Sequence, residues 1–475
     1  MIRRASACFL CLVLLLLQAG EPVRAMPDMS YTRDPLHGYR IPIPLAYTVG
    51  EVIIDVGKKS LNKASDLFID SNGLLYVADT GNNRIVKLDP NGRVLGTFGE
   101  EQGLKFNKPE GIYVDDTGDM FVADTGNGKI VHLDPKGAKV EEFIRPKTSL
   151  MKANANFSPS KVLIDKRGYL NVLDRNDPNG FIMIDANNQF RGYIAANHVP
   201  FSWQQLLIRL LATPEQKEQL SKAVPPQHAN LTMDEEGYIY SPTVLIDKDQ
   251  IKKLNALGTN IFKKDTFYGE KSIESGSLAL PYFVDITVDQ YGIINALDAT
   301  SRKIYQYNQE GQLLAVFGGH GNVKGAFEYP SSIGVDRQGR IFVLDRDRNN
   351  IQVFEPTHFS ELIHQASALY FNGRYEEALK PWHEVLQIDE NYPLAHRGVA
   401  KALYKQERWE ESMAEFKLAG DQEGYSDAFG QYRRAYMKSH FGWVVLIFAI
   451  MLYVLYFIVK RLRGFAHMIV RRLGY

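Results

Sequence analysis

The chain has 475 residues, 45% of them hydrophobic and 23% charged, which suits a folded protein of two or three domains. Lys plus Arg and Asp plus Glu each number 55, so no global field draws nucleic acid, and none is expected as a partner. Both cysteines, Cys8 and Cys11, lie in the first dozen residues, leaving the rest of the chain without disulfide or thiolate chemistry.

Arg3 and Arg4 precede an apolar run from Ala7 to Leu17, and Val23-Arg24-Ala25 ends in small residues. This pattern predicts a secretory signal peptide over 1–25, cut after Ala25. Further on, a short apolar run followed by Asp-x-x-Gly recurs six times, at Asp70, Asp115, Asp165, Asp234, Asp289 and Asp336. A second aspartate follows nine residues later at Asp79, Asp124, Asp174, Asp298 and Asp345, with Thr243 in the fourth copy. A third turn follows, as in Asp89-Pro90-Asn91-Gly92. Asp at the first and Gly at the fourth position suit tight turns. Runs of β-formers lie between them, so each copy predicts a four-stranded antiparallel meander.

One meander cannot bury both faces alone. Six arranged radially can, which predicts a mainly β fold, a six-bladed propeller over 39–358. The sixth copy lacks an outer strand, and the early segment PLAYTVGEVI has no blade of its own. It is expected to close the ring. Between copies three and four the spacing grows, and Thr213-Pro214-Glu215-Gln216 fits a helix cap. A helical insertion over 200–226 is expected, either a lid or a simple insertion.

The run of apolar-x-Val-Asp-x-x-Gly and then Val-Ala-Asp-Thr-Gly-Asn resembles the NHL repeat. It is clearest in copies one, two, five and six. The resemblance implies a six-bladed propeller. After Pro356 a helical period takes over. Tyr370 matches Tyr404, Tyr375 matches Trp409, and Glu376-Glu377 match Glu410-Glu411, all offset by 34. This segment, 359–438, resembles the tetratricopeptide repeat (TPR). In that family the first helices line a groove, which here would hold Ile363, Ser367, Tyr370 and Phe371, then Arg397, Lys401 and Lys405. The last three share one helix face. They suit an acidic peptide or a C-terminal carboxylate; the alternative is a solvated face.

Phe441 to Val459 is uncharged and apolar, about 28 Å long as a helix and so long enough to span a bilayer. A basic tail, 460–475, follows and is expected to face the cytoplasm, with the N-terminal domains outside the cell membrane.

Four residues before each first aspartate stand Asp66, Gly111, Lys161, Asn230, Asp285 and Ser332, with Glu110 beside Gly111. These are expected to line the propeller funnel. Gluconolactonase-like propellers, which share this general architecture, hold a divalent cation there, and the oxygen donors would suit calcium. Lys161 either intrudes on such a site or pairs with the carboxylates. The histidines, His132 and His228 among them, lack ligand spacing. Gly-x-Ser-x-Gly and phosphate-cradling motifs are absent, so no catalytic residue, metal ligand or cofactor is assigned. Asn156 and Asn230 match glycosylation acceptors. The expectation is a non-enzymatic, membrane-anchored binding or scaffold protein, serving protein partners in a membrane transport or envelope complex. The rival is a metal-dependent extracytoplasmic hydrolase of the gluconolactonase type.

Overall fold

The computed structural model describes residues 30–472, apart from 55, 58, 152–155, 198–202, 204–209, 212, 214–223, 245 and 275–276. The signal peptide and most of the helical insertion lie outside the described residues. The described residues form two compact units: one holds Ser30–Arg33 and Tyr39–Asn372, the other Asp34–Gly38 and residues 373–472.

Six antiparallel sheets, over 66–98, 109–144, 159–194, 232–254, 283–318 and 330–356, make the six blades of the first unit. Each first aspartate works identically. Asp70 Oδ1 accepts the N–H groups of Asn72 and Leu74, both at 2.9 Å, and Asp115, Asp165, Asp234, Asp289 and Asp336 repeat the arrangement. The partnering glycine takes a positive φ, as at Gly73 (79°) and Gly237 (91°), which only glycine adopts cheaply. The second aspartates reach further than their own turn. Asp79 accepts the Asn62 N–H and Asp124 the Asn107 N–H, each at 2.8 Å, so each pins the loop that enters its blade.

The early segment closes the ring. Strand Tyr47–Ile53 pairs antiparallel with Asn350–Pro356, from Ile53 opposite Ile351 to Tyr47 opposite Pro356. First and last strands thus complete blade six. Upstream, the hairpin Ser30–Arg33 and Arg40–Ile43 extends blade five. Its Tyr31 hydroxyl, Arg33 and Arg40 converge on the buried Glu270 carboxylate. Blade four has three strands among the described residues, at the copy where the repeat is weakest. Between blades the apolar faces interlock: Leu67, Val77 and Val86 of blade one pack with Phe342, Leu344 and Val353 of blade six.

Near the axis the blades almost touch. A Cβ on Gly111 would lie 2.3 Å from the Ser160 carbonyl oxygen of the next blade. Gly111→Ala should therefore cost about 1–3 kcal/mol. Gly430→Ala, with no neighbour within 4 Å, should be neutral or mildly stabilising. Thermal unfolding of the two variants checks this.

Helix α1 (His358–Phe371) follows blade six and belongs to the first unit. Its cap, Thr357, accepts the Ser360 N–H and donates to the Leu45 carbonyl at 2.6 Å. His364 is buried, with Nδ1 3.6 Å from Asp289 Oδ2 and its ring between Tyr47 and Tyr291. At the far end, Lys253 Nζ lies 4.5 Å from the Tyr238 ring centre and 5.5 Å from that of Phe371, a cation–π contact that holds the last turn of α1.

Burial raises Asp289 to about 7 and lowers His364 to about 4. The Asp289 contribution to stability is full in acid and is lost as pH rises through about 7. The His364 contribution is full above its ordinary 6.5 and is lost as pH falls through about 4. The two offset each other in the window between. Asp289→Asn should expose the histidine alone, so stability falls by about 1.4 kcal/mol per pH unit on acidification below neutrality. Denaturation curves at several pH values test this; equal slopes in both proteins would refute it.

The second unit contains α2 (Tyr375–Ile388), α3 (Pro393–Lys405), α4 (Trp409–Leu418), α5 (Gln422–Ser439) and α6 (Phe441–Arg472). Consecutive helices from α2 to α5 pack on one another. Small residues permit the close approach: Gly398 faces the Trp382 ring and Gly424 the Phe416 ring. Within α6, residues 441–459 are uncharged and none of them is buried. The helix is long and apolar enough to cross a membrane.

Candidate functional site

The inner strands carry the funnel residues to the axis, where they form a closed polar network. Lys161 Nζ pairs with Asp66 Oδ1. Asp66 Oδ2 accepts the Ile112 N–H at 2.9 Å. Ser332 Oγ accepts the Leu67 N–H at 3.0 Å and lies 2.5 Å from Asp285 Oδ2 and 3.2 Å from Asp66 Oδ1. Asp285 Oδ2 also accepts the Ile333 N–H at 2.8 Å. Its Oδ1 accepts from Asn230 Nδ2 and from the Ile286 N–H. Asp66, Lys161, Asn230, Asp285 and Ser332 are all buried. Burial raises the Asp285 carboxyl, and the Lys161 ammonium pulls it part of the way back. Two carboxyls thus share one internal cation.

This donor set does not fit a metal. Every carboxylate oxygen already accepts from a protein donor, and an ammonium stands where a cation would sit. Among the described residues no group of three or more His, Cys, Asp or Glu could hold an ion. Two cavities adjoin the network, and Lys161 lines both. One, of 180 Å³, is walled by the inner strands. The other, of 230 Å³, includes Glu110, Lys161, Asp174, Arg175 and Tyr282. In it Arg175 Nη2 lies 2.7 Å from Glu110 Oε2. Burial raises the carboxyls of Glu110 and Asp174.

Glu110 therefore sits at the mouth with Arg175, while the other five funnel residues form the plug. The sequence marks Asp174 as a turn residue and gives Arg175 no role. The position after the second aspartate varies from copy to copy. Copies one and two read Asp-Thr, and Thr80 and Thr125 each bond the next blade's proline carbonyl at 2.7 Å. Copies three and six read Asp174-Arg175 and Asp345-Arg346, each with a cation in place of the threonine, and Arg175 is the one paired with Glu110.

His228 is buried, with Nε2 2.8 Å from the Ala195 carbonyl and Nδ1 2.8 Å from Ser241 Oγ, and burial lowers it to about 4. It is a packing residue. Asn230 is inside the network, so a glycan has no room there. In the helical segment, Tyr370 lies on α1, in the first unit, where Ile363 and Ser367 are buried. Arg397, Lys401 and Lys405 share a face of α3 in the second unit. Arg397 Nε is paired with Asp421 at 3.0 Å. Lys401 and Lys405 lie over the Tyr404 and Tyr375 rings, each at 5.8 Å.

The NHL repeat matches residues 61–88, 106–133 and 327–354, and the TPR repeat matches 366–417. The chain thus carries NHL repeats in a six-bladed propeller, a TPR repeat and, among the described residues, one candidate membrane-spanning helix. No curated protein matches the sequence. Among solved structures, a streptogramin B lyase aligns at 14% identity over 66% of this chain and 98% of its own, with a TM-score of 0.43. A virginiamycin B lyase from Staphylococcus aureus aligns at 15% over 70% and 89%, TM-score 0.39. A gluconolactonase from Xanthomonas campestris aligns at 12% over 70% and 95%, TM-score 0.41.

Proposed function

We propose that this is a membrane-anchored, extracytoplasmic binding or scaffold protein with no chemistry of its own. Its propeller mouth and its helical repeats would engage protein partners of a membrane transport or envelope complex. The observation that carries this reading is the plug. The chain fills its own axis with Lys161, Asp66, Ser332, Asp285 and Asn230, and spends on internal pairing the groups a hydrolytic centre would need free. What remains exposed are surfaces: the mouth beside Arg175, and the α3 face bearing Lys401 and Lys405. NHL and TPR repeats are both suited to protein interaction, and α6 would hold them at the bilayer with the basic tail inside.

Crosslinking in the native membrane tests the proposal. A reproducible partner is expected, with recovery reduced by Lys401→Glu with Lys405→Glu, or by Arg175→Glu. Recovery of no reproducible partner, or of one indifferent to all three changes, would overturn it. The rival hydrolase reading requires Lys161 to release Asp66. Calorimetry with calcium and manganese addresses that directly, since binding by the unaltered protein would favour the rival.

A further inference from the structure

Helix α5 ends the repeat stack and should be its polar cap. Instead it exposes aromatic residues: Tyr436 is 51% exposed and Phe429 45%. Tyr432, Ala435, Tyr436 and Ser439 of α5 form one wall of a 530 Å³ cleft, and Trp409, Glu410 and neighbouring residues of α4 form the other. Tyr432 stacks on Tyr436, and Tyr436 on His440 at 4.2 Å, just before α6 begins. On the cleft rim, Glu411 is paired with Arg408. Glu407 and Glu410 are exposed and have no cationic partner among the described residues.

The back of the same helix has the opposite character. Arg434 and Lys438 lie roughly 160° around α5 from the Tyr432–Tyr436 stripe. Both are exposed, and neither has a carboxylate partner among the described residues. They interleave in sequence with the cleft residues 432, 435, 436 and 439, so the two faces stand at the same height along the helix. One face offers aromatic rings and unpaired carboxylates. The other offers unpaired cations on long apolar stems, which suit ring faces and carboxylates alike.

We infer that the cleft receives the Arg434–Lys438 face of a second copy of this chain. With α6 in a bilayer, every copy is held at one depth, which brings cleft and basic face level and raises their effective concentration. The contact is head-to-tail, joining two different faces, so it builds a ring or a row rather than a two-fold dimer.

Charge reversal in the full-length chain tests this. Two differently tagged copies are co-expressed and one is purified from solubilised membranes. The unaltered copies should co-purify. Arg434→Glu with Lys438→Glu should cut self-association at least tenfold, and so should Glu407→Lys with Glu410→Lys. Mixing one reversed chain with the other should restore it, because the reversed basic face then meets the reversed cleft. Failure of the unaltered copies to co-purify, persistence in either reversed chain alone, or failure of the mixture would each overturn the inference. All four positions are exposed, and recovery in the mixture would itself show that both variants fold.

Discussion

Lys161→Ser should convert the centre of the propeller into a calcium site. The substitution removes the ammonium from Asp66 and leaves two buried carboxyls, Asp66 and Asp285, both within hydrogen-bond reach of Ser332 Oγ. Without metal, an unpaired buried charge should cost about 3–5 kcal/mol. With calcium, the vacated space offers both carboxylates, the Ser332 hydroxyl and the introduced serine, and a cation at about 2.4 Å from such oxygens is well served. The variant should melt lower than the unaltered protein in chelator and recover in millimolar calcium. The unaltered protein should not respond. Adding Asp285→Asn should abolish the recovery. Thermal unfolding with and without calcium reads all three. A calcium response as large in the unaltered protein would mean that Lys161 is not the internal counter-ion, and the plug would lose its meaning.

The parts legible in sequence were those set by local chemistry. Asp70 and Gly73 announce their turn because the carboxylate and the positive φ both act within five residues. The funnel positions followed from register, since equal spacing from a repeated turn places residues at equal depth. The alternative left open at Lys161 is decided by distance, and sequence could show only that a cation stood among carboxylates. The attachment of α1 was illegible for a different reason. An offset of 34 residues reports what a helix is, not what covers it. Ile363 and Ser367 fitted a groove-lining face, yet both are buried. His364, between them, was the available clue, but its partner Asp289 lies 75 residues earlier and already had a role in its own turn. Arg175 was not legible, because Arg346 follows Asp345 in copy six just as Arg175 follows Asp174, and sequence does not show which of the two meets Glu110.

A disulfide between positions 48 and 355 should stabilise the propeller more than any single side-chain contact. Thr48 and Glu355 face each other across the closing pair of strands. Directly opposed antiparallel residues have Cα atoms about 4.5–5.5 Å apart, within disulfide range. The bond would join the first strand of the ring to the last, so its loop contains nearly all of the first unit. Loop-closure entropy for some 300 residues gives about 5–6 kcal/mol as an upper figure. For a unit of this size that corresponds to a rise of about 5–10 °C in Tm, allowing for strain. The Thr48→Cys, Glu355→Cys protein should show this rise when oxidised and lose it on reduction. A disulfide within a blade formed wholly from consecutive strands would gain about half as much, about 3 kcal/mol for a loop of about 15 residues. If oxidation left Tm unchanged while the bond was shown to form, the junction would already be closed in the unfolded ensemble or would not limit unfolding. The ring would then be held by inter-blade packing rather than by the strand Tyr47–Ile53.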